Sequence, residues 1–534
     1  MIFHHSGSKD TYITNKIVNS ASRATGANVG YASTIDLFKL YGESTLKGVS
    51  GICTIGGVDH LDKTEQECTD LSGTWEPNLT ELSRGLIYFD LSQLKSEIED
   101  QVDVLTDSSL KIVLKMYDVQ GTQVAPSNFI LELCPLTVAF EEGIGDNIVT
   151  FSDNFDANWL SPSTDNTWYT GGVDYSDPAK TSIGAAIATQ TFTSGLEDLE
   201  MDITTFVQAH WTNSSTTPNH GWMLKFTQTY EENGKSYFVK RFSSRHTRNP
   251  MLRPKIEASW SSYHEDDHLN FIEGQENKLT LRNYVNGVPT NVSANNTTGV
   301  RLRLSWPDLT TNTWSREMRK DTTQVNSTDS VVSQVSIGGI AQAGVYEAKI
   351  TPNYLQSSES ALKESLVASG SLLIQELWDY EDEATGNTKI LHSGSITLYD
   401  PLAVTNAAPT DYRFSLLDVK SIYESSETPT IRLFVRDRNL ANEPVRIPIQ
   451  LPSKIIHKAY YQIKDTNNSK ILVGFSDLLS TPNESTRISR DSEGMYFKFP
   501  ISVLPRGRTY TIDIGYYDRG IRRTWESNLA FRVK

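Results

Sequence analysis

The sequence predicts an all-β protein made of several β-sandwich domains in tandem, and three observations support this prediction. Short apolar or alternating runs recur along the chain and are bounded by Gly, Pro, Asn or Asp, which is typical of strands. Helical periodicity is confined to two short stretches, 91–99 and 203–211. The C-terminal half contains an internal repeat of strand-like segments in the same order.

The length of the chain requires more than one core. A chain of 534 residues corresponds to roughly three or four domains at about 100–200 residues each. The polar segment 259–268 forms the first predicted boundary, and segment 400–411, which contains two prolines, forms the second. These boundaries predict domains over residues 1–262, 263–404 and 405–534.

The first domain is predicted to consist of strands joined by some long loops. Its clearest strand-like runs are 110–117, 129–133, 222–229 and 236–241. Two long segments, 42–82 and 152–180, lack such a pattern and are rich in Gly and in acidic or amide side chains. Because these residue types favour turns, we expect both segments to be loops.

The internal repeat lies in the second and third domains. Phe271-Ile272-Glu273 recurs as Ile422-Tyr423-Glu424, an offset of 151 residues from Glu273 to Glu424. Gly344 recurs as Gly494, an offset of 150, and each is followed two residues later by Tyr. Each copy then continues into a predicted hairpin, 372–380 with 391–399 and 510–517 with 525–533. This pattern fits two tandem immunoglobulin-like β-sandwiches.

Four blocks of the first domain occur in a characteristic order: Asp10–Ile13 with Asn28–Ser33, Arg84–Leu91, Met201–Trp211 with Asn219–Lys225, and Phe242–Arg245 with Asn249–Ile256. Their order and spacing resemble the DNRLRE family of β-jelly-roll modules, which also occur appended to polysaccharide-active enzymes. The resemblance covers about half of the chain. It implies a jelly-roll-like β-sandwich over residues 1–262, with an insertion at about 42–82. Within the first block, Asn28 and Gly30 predict a loop with positive φ.

The insertion contains two of the three cysteines of the chain, Cys53 and Cys68. Two alternatives are open for them: a disulfide across a hairpin, or two reduced thiols, as expected in a reducing cytoplasm. The insertion ends with Gly73-Thr74-Trp75 and resembles inserts in structural proteins of tailed phages, and the opening residues Met1–Lys16 resemble the start of such proteins. The resemblance implies a virion protein.

Composition excludes several classes of partner. The net charge of −16 argues against a non-specific nucleic-acid binder, which needs a basic face. No run of about 18 apolar residues occurs, so no membrane partner is expected. The N-terminus lacks the basic and apolar regions of a secretion signal. We therefore expect assembly in the host cytoplasm and a final location in the virion.

Catalytic motifs are absent from the sequence. It contains no Gly-x-Ser-x-Gly, His-Glu-x-x-His, phosphate-binding or dinucleotide pattern. His264 and His268 have a spacing that could hold a metal on a helix, but they lie in the first polar break, so a solvated hinge is expected instead. An acidic segment at 146–156 is compatible with calcium or with Asx turns. We expect no enzyme activity, no catalytic or metal-binding residue and no cofactor.

Two groups of side chains are candidates for binding. Aromatic rings in one polar loop could stack on sugars, form a protein interface or pack in the core; they are Trp159, Trp168, Tyr169 and Tyr175. From Pro500 to Lys534, seven basic residues stand against three acidic ones. Five of these arginines could dock on an acidic neighbour or line the solvent face of a hairpin; they are Arg506, Arg508, Arg519, Arg522 and Arg523.

The sequence therefore favours a non-enzymatic structural protein of a tailed phage, present in several copies on the neck, tail or capsid exterior and docked on other virion proteins. The alternative is a carbohydrate-binding adhesin or fibre-associated protein that recognises a host surface glycan. A solvent-open aromatic platform would distinguish the second function from the first.

Overall fold

The computed structural model describes residues 1–18, 22–41, 51–60, 63–77, 80–121, 124–151, 156–166, 168, 182–294, 299–307, 314–317, 332–352, 360–401, 411–438, 453–476, 484–518 and 520–534. The chain is all-β, with 47% strand and 10% helix, and forms several β-sandwiches. It divides into two compact units. The N-terminal unit comprises Phe3–Asp100 and Leu110–Ser259, and the C-terminal unit comprises Met1–Ile2, Gln101–Ser109 and Trp260–Lys534.

The strands up to residue 259 are β1 (Ile2–Ser6), β2 (Lys9–Thr14), β3 (Ile17–Val18), β4 (Ser22–Arg23), β5 (Thr34–Tyr41), β6 (Gly51–Ile55), β7 (Val58–His60), β8 (Thr74–Pro77), β9 (Thr80–Tyr88), β10 (Lys111–Met116), β11 (Phe129–Pro135), β12 (Ala188–Phe192), β13 (Leu199–Asp202), β14 (Trp222–Phe226), β15 (Tyr237–Ser243) and β16 (Lys255–Ser259). The helices are α1 (Glu65–Asp70), α2 (Leu91–Ile98), α3 (Thr204–Thr212) and α4 (Gln228–Glu232), and a 3-10 turn covers Pro250–Leu252. The four predicted strands and the two predicted helical stretches are found as β10, β11, β14, β15, α2 and α3, but the predicted strand 222–229 ends at Phe226 and is followed by α4 from Gln228.

The N-terminal unit is a β-sandwich of two main sheets. One sheet has the strand order β1-β16-β10-β13, and the other has the order β12-β11-β14-β9-β5-β15 with β2 paired to β9. Strand β10 shows why these residues form a sandwich, since Ile112, Leu114 and Met116 are buried while the alternate residues are less so. Asp90 is the N-cap of helix α2, and its carboxylate accepts from the backbone N–H groups of Ser92 and Gln93.

The insertion has more regular structure than the loop we expected. Strands β6, β7 and β8 form a small sheet, and α1 begins with a reciprocal capping box between Thr64 and Glu67. Cys53 on β6 and Cys68 on α1 form a disulfide that joins the helix to this sheet. A Cβ at Gly73 would lie 2.8 Å from the Sγ atom of Cys68, so only glycine fits beside the disulfide. The disulfide thus gives a core to a segment with few apolar residues.

The strands of the C-terminal unit are β17 (Phe271–Ile272), β18 (Asn277–Arg282), β19 (Tyr284–Val285), β20 (Val288–Pro289), β21 (Val300–Pro307), β22 (Trp314–Glu317), β23 (Ser333–Ile337), β24 (Ile340–Ile350), β25 (Ser371–Glu381), β26 (Thr388–Tyr399), β27 (Tyr412–Leu417), β28 (Ile422–Tyr423), β29 (Thr430–Asp437), β30 (Ala459–Asp465), β31 (Ile471–Val473), β32 (Ser489–Asp491), β33 (Gly494–Lys498), β34 (Thr509–Asp518) and β35 (Ile521–Val533). One helix, α5 (Ser360–Ser369), and a 3-10 turn at Ile501–Val503 accompany them.

The C-terminal unit contains two immunoglobulin-like sandwiches. The first combines the sheets β17-β26-β25-β21-β22 and β18-β24-β23, and the second combines β27-β29-β33-β32 and β28-β35-β34-β30-β31. The two predicted hairpins are confirmed as β25–β26 and β34–β35. In both sandwiches the first strand of the repeat pairs parallel with the last, β17 with β26 and β28 with β35. The repeat in the sequence is therefore a repeat of topology.

Each immunoglobulin-like sandwich has its own core. In the first, the buried side chains of Trp378, Ile374 and Leu398 belong to one apolar cluster with Phe271. In the second, aromatic rings dominate, and the rings of Tyr461 and Phe497 are stacked with their centroids 4.6 Å apart. Among the described residues, no helix is both long enough and apolar enough to cross a membrane.

Candidate functional site

A polar cluster in the N-terminal unit, buried at Asp10 and partly exposed at Arg245, brings together side chains that are far apart in the sequence. It consists of Asp10 on β2, Glu142, and the pair Arg245 and His246 after β15; we call it the Asp10–Glu142 cluster. Glu142 Oε1 accepts from the backbone N–H of Asp10 at 2.9 Å and from Arg245 Nε at 2.5 Å. Arg245 also donates to Glu142 Oε2, and His246 Nε2 lies 3.3 Å from Glu142 Oε1. Two of the blocks that carry the family resemblance thus meet here.

The first block also positions Glu142. Asn28 Nδ2 donates to the backbone carbonyl of Glu142 at 2.9 Å, and Asn28 Oδ1 accepts from the backbone N–H of Gly145 at 2.8 Å. A Cβ at Gly30 would lie 1.9 Å from the carbonyl oxygen of Glu142, so glycine is required there for close approach. The expectation of positive φ was wrong, since neither Asn28 nor Gly30 has a positive φ. Close packing explains these residues instead.

Burial sets the electrostatics of the Asp10–Glu142 cluster. Asp10 is 2% exposed. Its burial, together with the neighbouring Glu142 carboxylate, raises the pKa of Asp10 to about 7, although the hydrogen bond from the Arg245 backbone acts in the opposite direction. Asp10 Oδ2 accepts from that backbone N–H at 2.6 Å, whereas Asp10 Oδ1 is buried without a hydrogen-bond partner among the described residues. The cluster therefore contains one unsatisfied carboxylate oxygen.

A second polar cluster joins the two immunoglobulin-like sandwiches, and we call it the interdomain clamp. Its acidic members, Glu265 and Asp267, precede the first sandwich, and its basic members, Arg487 and Arg490, lie in the second. Arg490 Nη2 is 2.9 Å from Asp267 Oδ1, and Arg487 Nη2 is 2.8 Å from Glu265 Oε1. Lys278 Nζ completes the cluster at 2.7 Å from Glu265 Oε2.

The interdomain clamp overturns the prediction of a solvated hinge at 259–268. His264, Asp266 and Asp267 are each only 4% exposed. The backbone N–H of Arg490 donates to the carbonyl of His264 at 2.8 Å, which fixes the segment against the second sandwich. These polar residues can be buried because they have partners: Asp267 pairs with Arg490 of the second sandwich, and Asp266 pairs with His268.

His264 and His268 do not converge on a metal position. The segment that carries them is not helical. His264 Nε2 lies 3.2 Å from Thr280 Oγ1, whereas His268 bonds Asp266 and lies 3.0 Å from Glu376 Oε2. Burial alone would lower the pKa of His268, but the hydrogen bonds to Asp266 and Glu376 raise it to about 10.

Two histidines near the clamp make stability depend on pH. Burial lowers the pKa of His264 to about 4, and burial together with Arg490 lowers the pKa of His457 to about 4, despite the opposing charge of Glu265. Because an unfolded histidine has a pKa of about 6.5, the unfolded chain binds protons more readily, and stability is lost as pH falls from about 6.5 towards 4.

We expect His457→Gln to reduce this loss. Denaturant unfolding at pH 7, 5.5 and 4.5 measures it, with His220→Gln in the N-terminal unit as the matched control. Between pH 7 and 4.5 the free energy of unfolding should fall for both proteins. The fall should be smaller for His457→Gln than for the control, by at least about 1 kcal/mol. Superimposable pH curves for the two variants would contradict the assignment.

The solvent-open aromatic platform that the sugar-stacking alternative requires is not formed by the described part of the loop. Trp159 and Trp168 are 1% and 4% exposed, so neither ring is available to a sugar or a partner. Trp168 Nε1 donates to the carbonyl of Asn158 at 2.8 Å, and the Arg84 guanidinium lies 4.8 Å from the ring centre of Trp159. The core-packing alternative therefore describes both tryptophans. Tyr169 and Tyr175 lie outside the described residues.

The arginines proposed for docking differ in their surroundings. Arg508 is 3.2 Å from the fully buried carboxylate of Asp465, so it belongs to an internal ion pair. Arg523 lies 3.4 Å from Asp518, and Arg506 and Arg522 are exposed. Arg519 lies outside the described residues. Of this set, Arg506, Arg522 and Arg523 present charge to solvent.

Two further features bear on ligand binding. In the acidic segment, Asn147 Oδ1 accepts from the backbone N–H of Thr150 at 2.8 Å, which is an Asx-type turn; part of the segment, 152–155, lies outside the described residues. An open cavity of about 340 Å³ lies beside β15, lined by Asp118, Leu196 and Arg241 among others. Its lining combines apolar side chains with two charged groups that are themselves paired, Arg241 with Asp36 and Asp118 with Lys240.

Comparisons with known proteins add little to this description. No protein-family model and no curated protein matches the chain. Among solved structures, Titin-A168169 is 8% identical and covers 52% of this chain and 97% of its own, with a TM-score of 0.14. DIP-gamma IG1+IG2 is 11% identical over 49% of this chain and 91% of its own, with a TM-score of 0.11. The FN1–FN3 domains of chicken CNTN1 are 11% identical over 58% of this chain and 87% of their own, with a TM-score of 0.13. Likeness this low carries no conclusion about function.

Proposed function

We propose that this chain is a non-catalytic structural component of a tailed-phage virion, placed on the neck, tail or capsid exterior, where it docks on other virion proteins. The observation that carries the proposal is the interdomain clamp. A spacer between flexible domains needs only a solvated linker, whereas this chain buries Asp267 against Arg490 between its two immunoglobulin-like sandwiches. Such coupling suits a part that must hold its neighbours in fixed register.

The disulfide agrees with an exterior position. Disulfides persist on secreted proteins and on the surfaces of virions and cells, and are rare in reducing cytoplasm. The Cys53–Cys68 bond would therefore form once the particle leaves the host cell. Among the described residues, the third cysteine, Cys134, is buried and free.

The exposed arginines supply a chemistry for docking. Arg506, Arg522 and Arg523 present positive charge at the C-terminal end of a chain whose net charge is −16. A neighbour with an acidic surface would be attracted to this end and repelled by the rest of the chain. The charge distribution would therefore orient the chain with these arginines towards an acidic partner.

The proposal is tested on purified particles of the phage that carries this sequence. Quantitative mass spectrometry should find the chain in a fixed ratio to the major capsid protein through successive density-gradient purifications. Cross-linking of intact particles should join the segment 506–523 to acidic segments of another virion protein. Loss of the chain during purification, with the capsid protein retained, would reject the proposal.

The open cavity beside β15 favours a second candidate, a carbohydrate-binding adhesin. Arg241 and Asp118 line the cavity and already pair with Asp36 and Lys240. They would therefore bind a sugar through their remaining donors and acceptors, while Leu196 offers an apolar contact. Binding on a glycan array that is lost in the Arg241→Ala protein would support this function. A silent array with the folded full chain would count against it.

A further inference from the structure

We propose that the Asp10–Glu142 cluster is a binding site for a divalent transition-metal ion, with Zn²⁺ as the closest match to its ligands. The inference goes beyond the proposed function, because docking on virion proteins does not require it. The site would be formed by Asp10, Glu142 and His246, with Arg245 as the group that competes with the metal.

The geometry is the first support. One carboxylate oxygen from each of Asp10 and Glu142 and one imidazole nitrogen of His246 all lie within 4.8 Å of one another. Ligands of a single ion must lie within twice the metal–ligand distance, so a small contraction around a central ion brings these atoms into its coordination sphere. Among the described residues, this is the one group of three or more such side chains that meets the distance.

The second support is independent of the first. Asp10 is almost fully buried, and its Oδ1 atom has no hydrogen-bond partner among the described residues. Leaving a buried polar atom unsatisfied costs about 1–3 kcal/mol, so native structures rarely do so without a ligand, water or functional reason. A metal ion bound to the Asp10 carboxylate would compensate for this missing partner.

The chemistry of the three side chains determines which metal ion the site would prefer. Imidazole favours Zn²⁺ and other transition metals, whereas Ca²⁺ and Mg²⁺ prefer sites made of oxygen alone. Two carboxylates neutralise the charge of a divalent cation, and three protein ligands leave a further position for water. We therefore expect Zn²⁺ to bind and Ca²⁺ to bind much more weakly.

Arg245 competes with a metal ion for the carboxylate of Glu142. Its guanidinium donates hydrogen bonds to both carboxylate oxygens of Glu142. The Glu142 carboxylate must give up at least one of these bonds to coordinate a metal ion. The Arg245 side chain is 35% exposed, so it can leave Glu142 for solvent when a cation replaces its charge. Removing Arg245 should consequently strengthen metal binding, whereas in a purely structural ion cluster it would only destabilise the fold.

The experiment titrates Zn²⁺ into the metal-free full-length chain by calorimetry and follows thermal unfolding in parallel. Arg245→Gln should bind one Zn²⁺ at least about tenfold more tightly than the native chain, and Asp10→Asn and His246→Gln should weaken binding by at least about tenfold. Arg248→Gln and His220→Gln are the matched controls and should behave as the native chain.

Circular dichroism of the metal-free proteins checks that each variant is folded. If Arg245→Gln fails to fold, Arg245→Lys replaces it, because lysine cannot hold both carboxylate oxygens and should also strengthen binding. The proposal is overturned if Zn²⁺ binds neither the native chain nor the folded Arg245 variant. It is equally overturned if binding is unchanged in Asp10→Asn and His246→Gln.

Discussion

Replacing Arg490 by Met is expected to lower the free energy of unfolding of the C-terminal unit by about 3–5 kcal/mol. The Arg490 side chain is buried and is paired with Asp267, which is itself 4% exposed. Without the guanidinium, the carboxylate of Asp267 remains buried without its cation, while the backbone hydrogen bond from Arg490 to His264 is retained. Guanidinium denaturation followed by circular dichroism and tryptophan fluorescence measures the change.

The matched control is Arg506→Met, which removes an exposed arginine and should shift stability by no more than about 0.5 kcal/mol. The double variant Arg490→Met with Asp267→Asn should be more stable than the sum of the single effects, with a coupling of at least about 1 kcal/mol. If Arg490→Met unfolds like the control, the clamp does not couple the sandwiches and the proposed function loses its main support.

Trp159→Ala is the second change with a large expected effect, a loss of about 3–5 kcal/mol from the stability of the N-terminal unit. The ring is 1% exposed and packs in an apolar cluster with Trp168 and Met223, so its removal leaves a cavity. The change also removes the ring that faces the buried Arg84 guanidinium. Thermal unfolding of the variant, compared with the native chain, measures the loss.

Tyr284→Ala is the control for Trp159→Ala, because Tyr284 is 54% exposed and its truncation should leave thermal unfolding almost unchanged. A Trp159→Ala protein that keeps native stability but loses glycan binding would restore the sugar-stacking alternative. A loss of stability instead supports the core-packing role for this ring.

The repeat could be predicted because its signals are local. Each strand of the hairpin β25–β26 or β34–β35 shows apolar residues and turn residues within a short window, and the two copies share an order of such windows. Pairing partners within a hairpin are also close in sequence. The fold class and the hairpins of the immunoglobulin-like sandwiches therefore followed from the sequence.

The interdomain clamp could not be predicted because its partners are distant in sequence. Residues 264–267 are polar and resemble a solvated linker when they are considered alone. The charges that make their burial stable, on Arg487 and Arg490, lie more than 200 residues further along the chain. Local composition cannot distinguish a polar segment that faces water from one that faces compensating charges.

The Asp10–Glu142 cluster also could not be predicted as a cluster, although the sequence did indicate that Asn28 and Gly30 shape the backbone beside it. Asp10, Glu142 and Arg245 are each separated by more than 100 residues, and no spacing connects them. The sequence indicates Asn28 and Gly30 as backbone-determining residues, but it predicts a turn with positive φ as their role. Their actual role is to let Glu142 approach closely, which only the packed structure reveals.

The parallel pairing of first and last strands has a mechanical consequence for each immunoglobulin-like sandwich. The chain enters at the amino end of β17 and leaves at the carboxyl end of β26, which are opposite ends of a parallel pair. A pull on both ends would slide these strands along each other and load their hydrogen bonds together, instead of opening them one by one. The same geometry applies to β28 and β35, so tension on the chain would load these two short parallel pairs in shear.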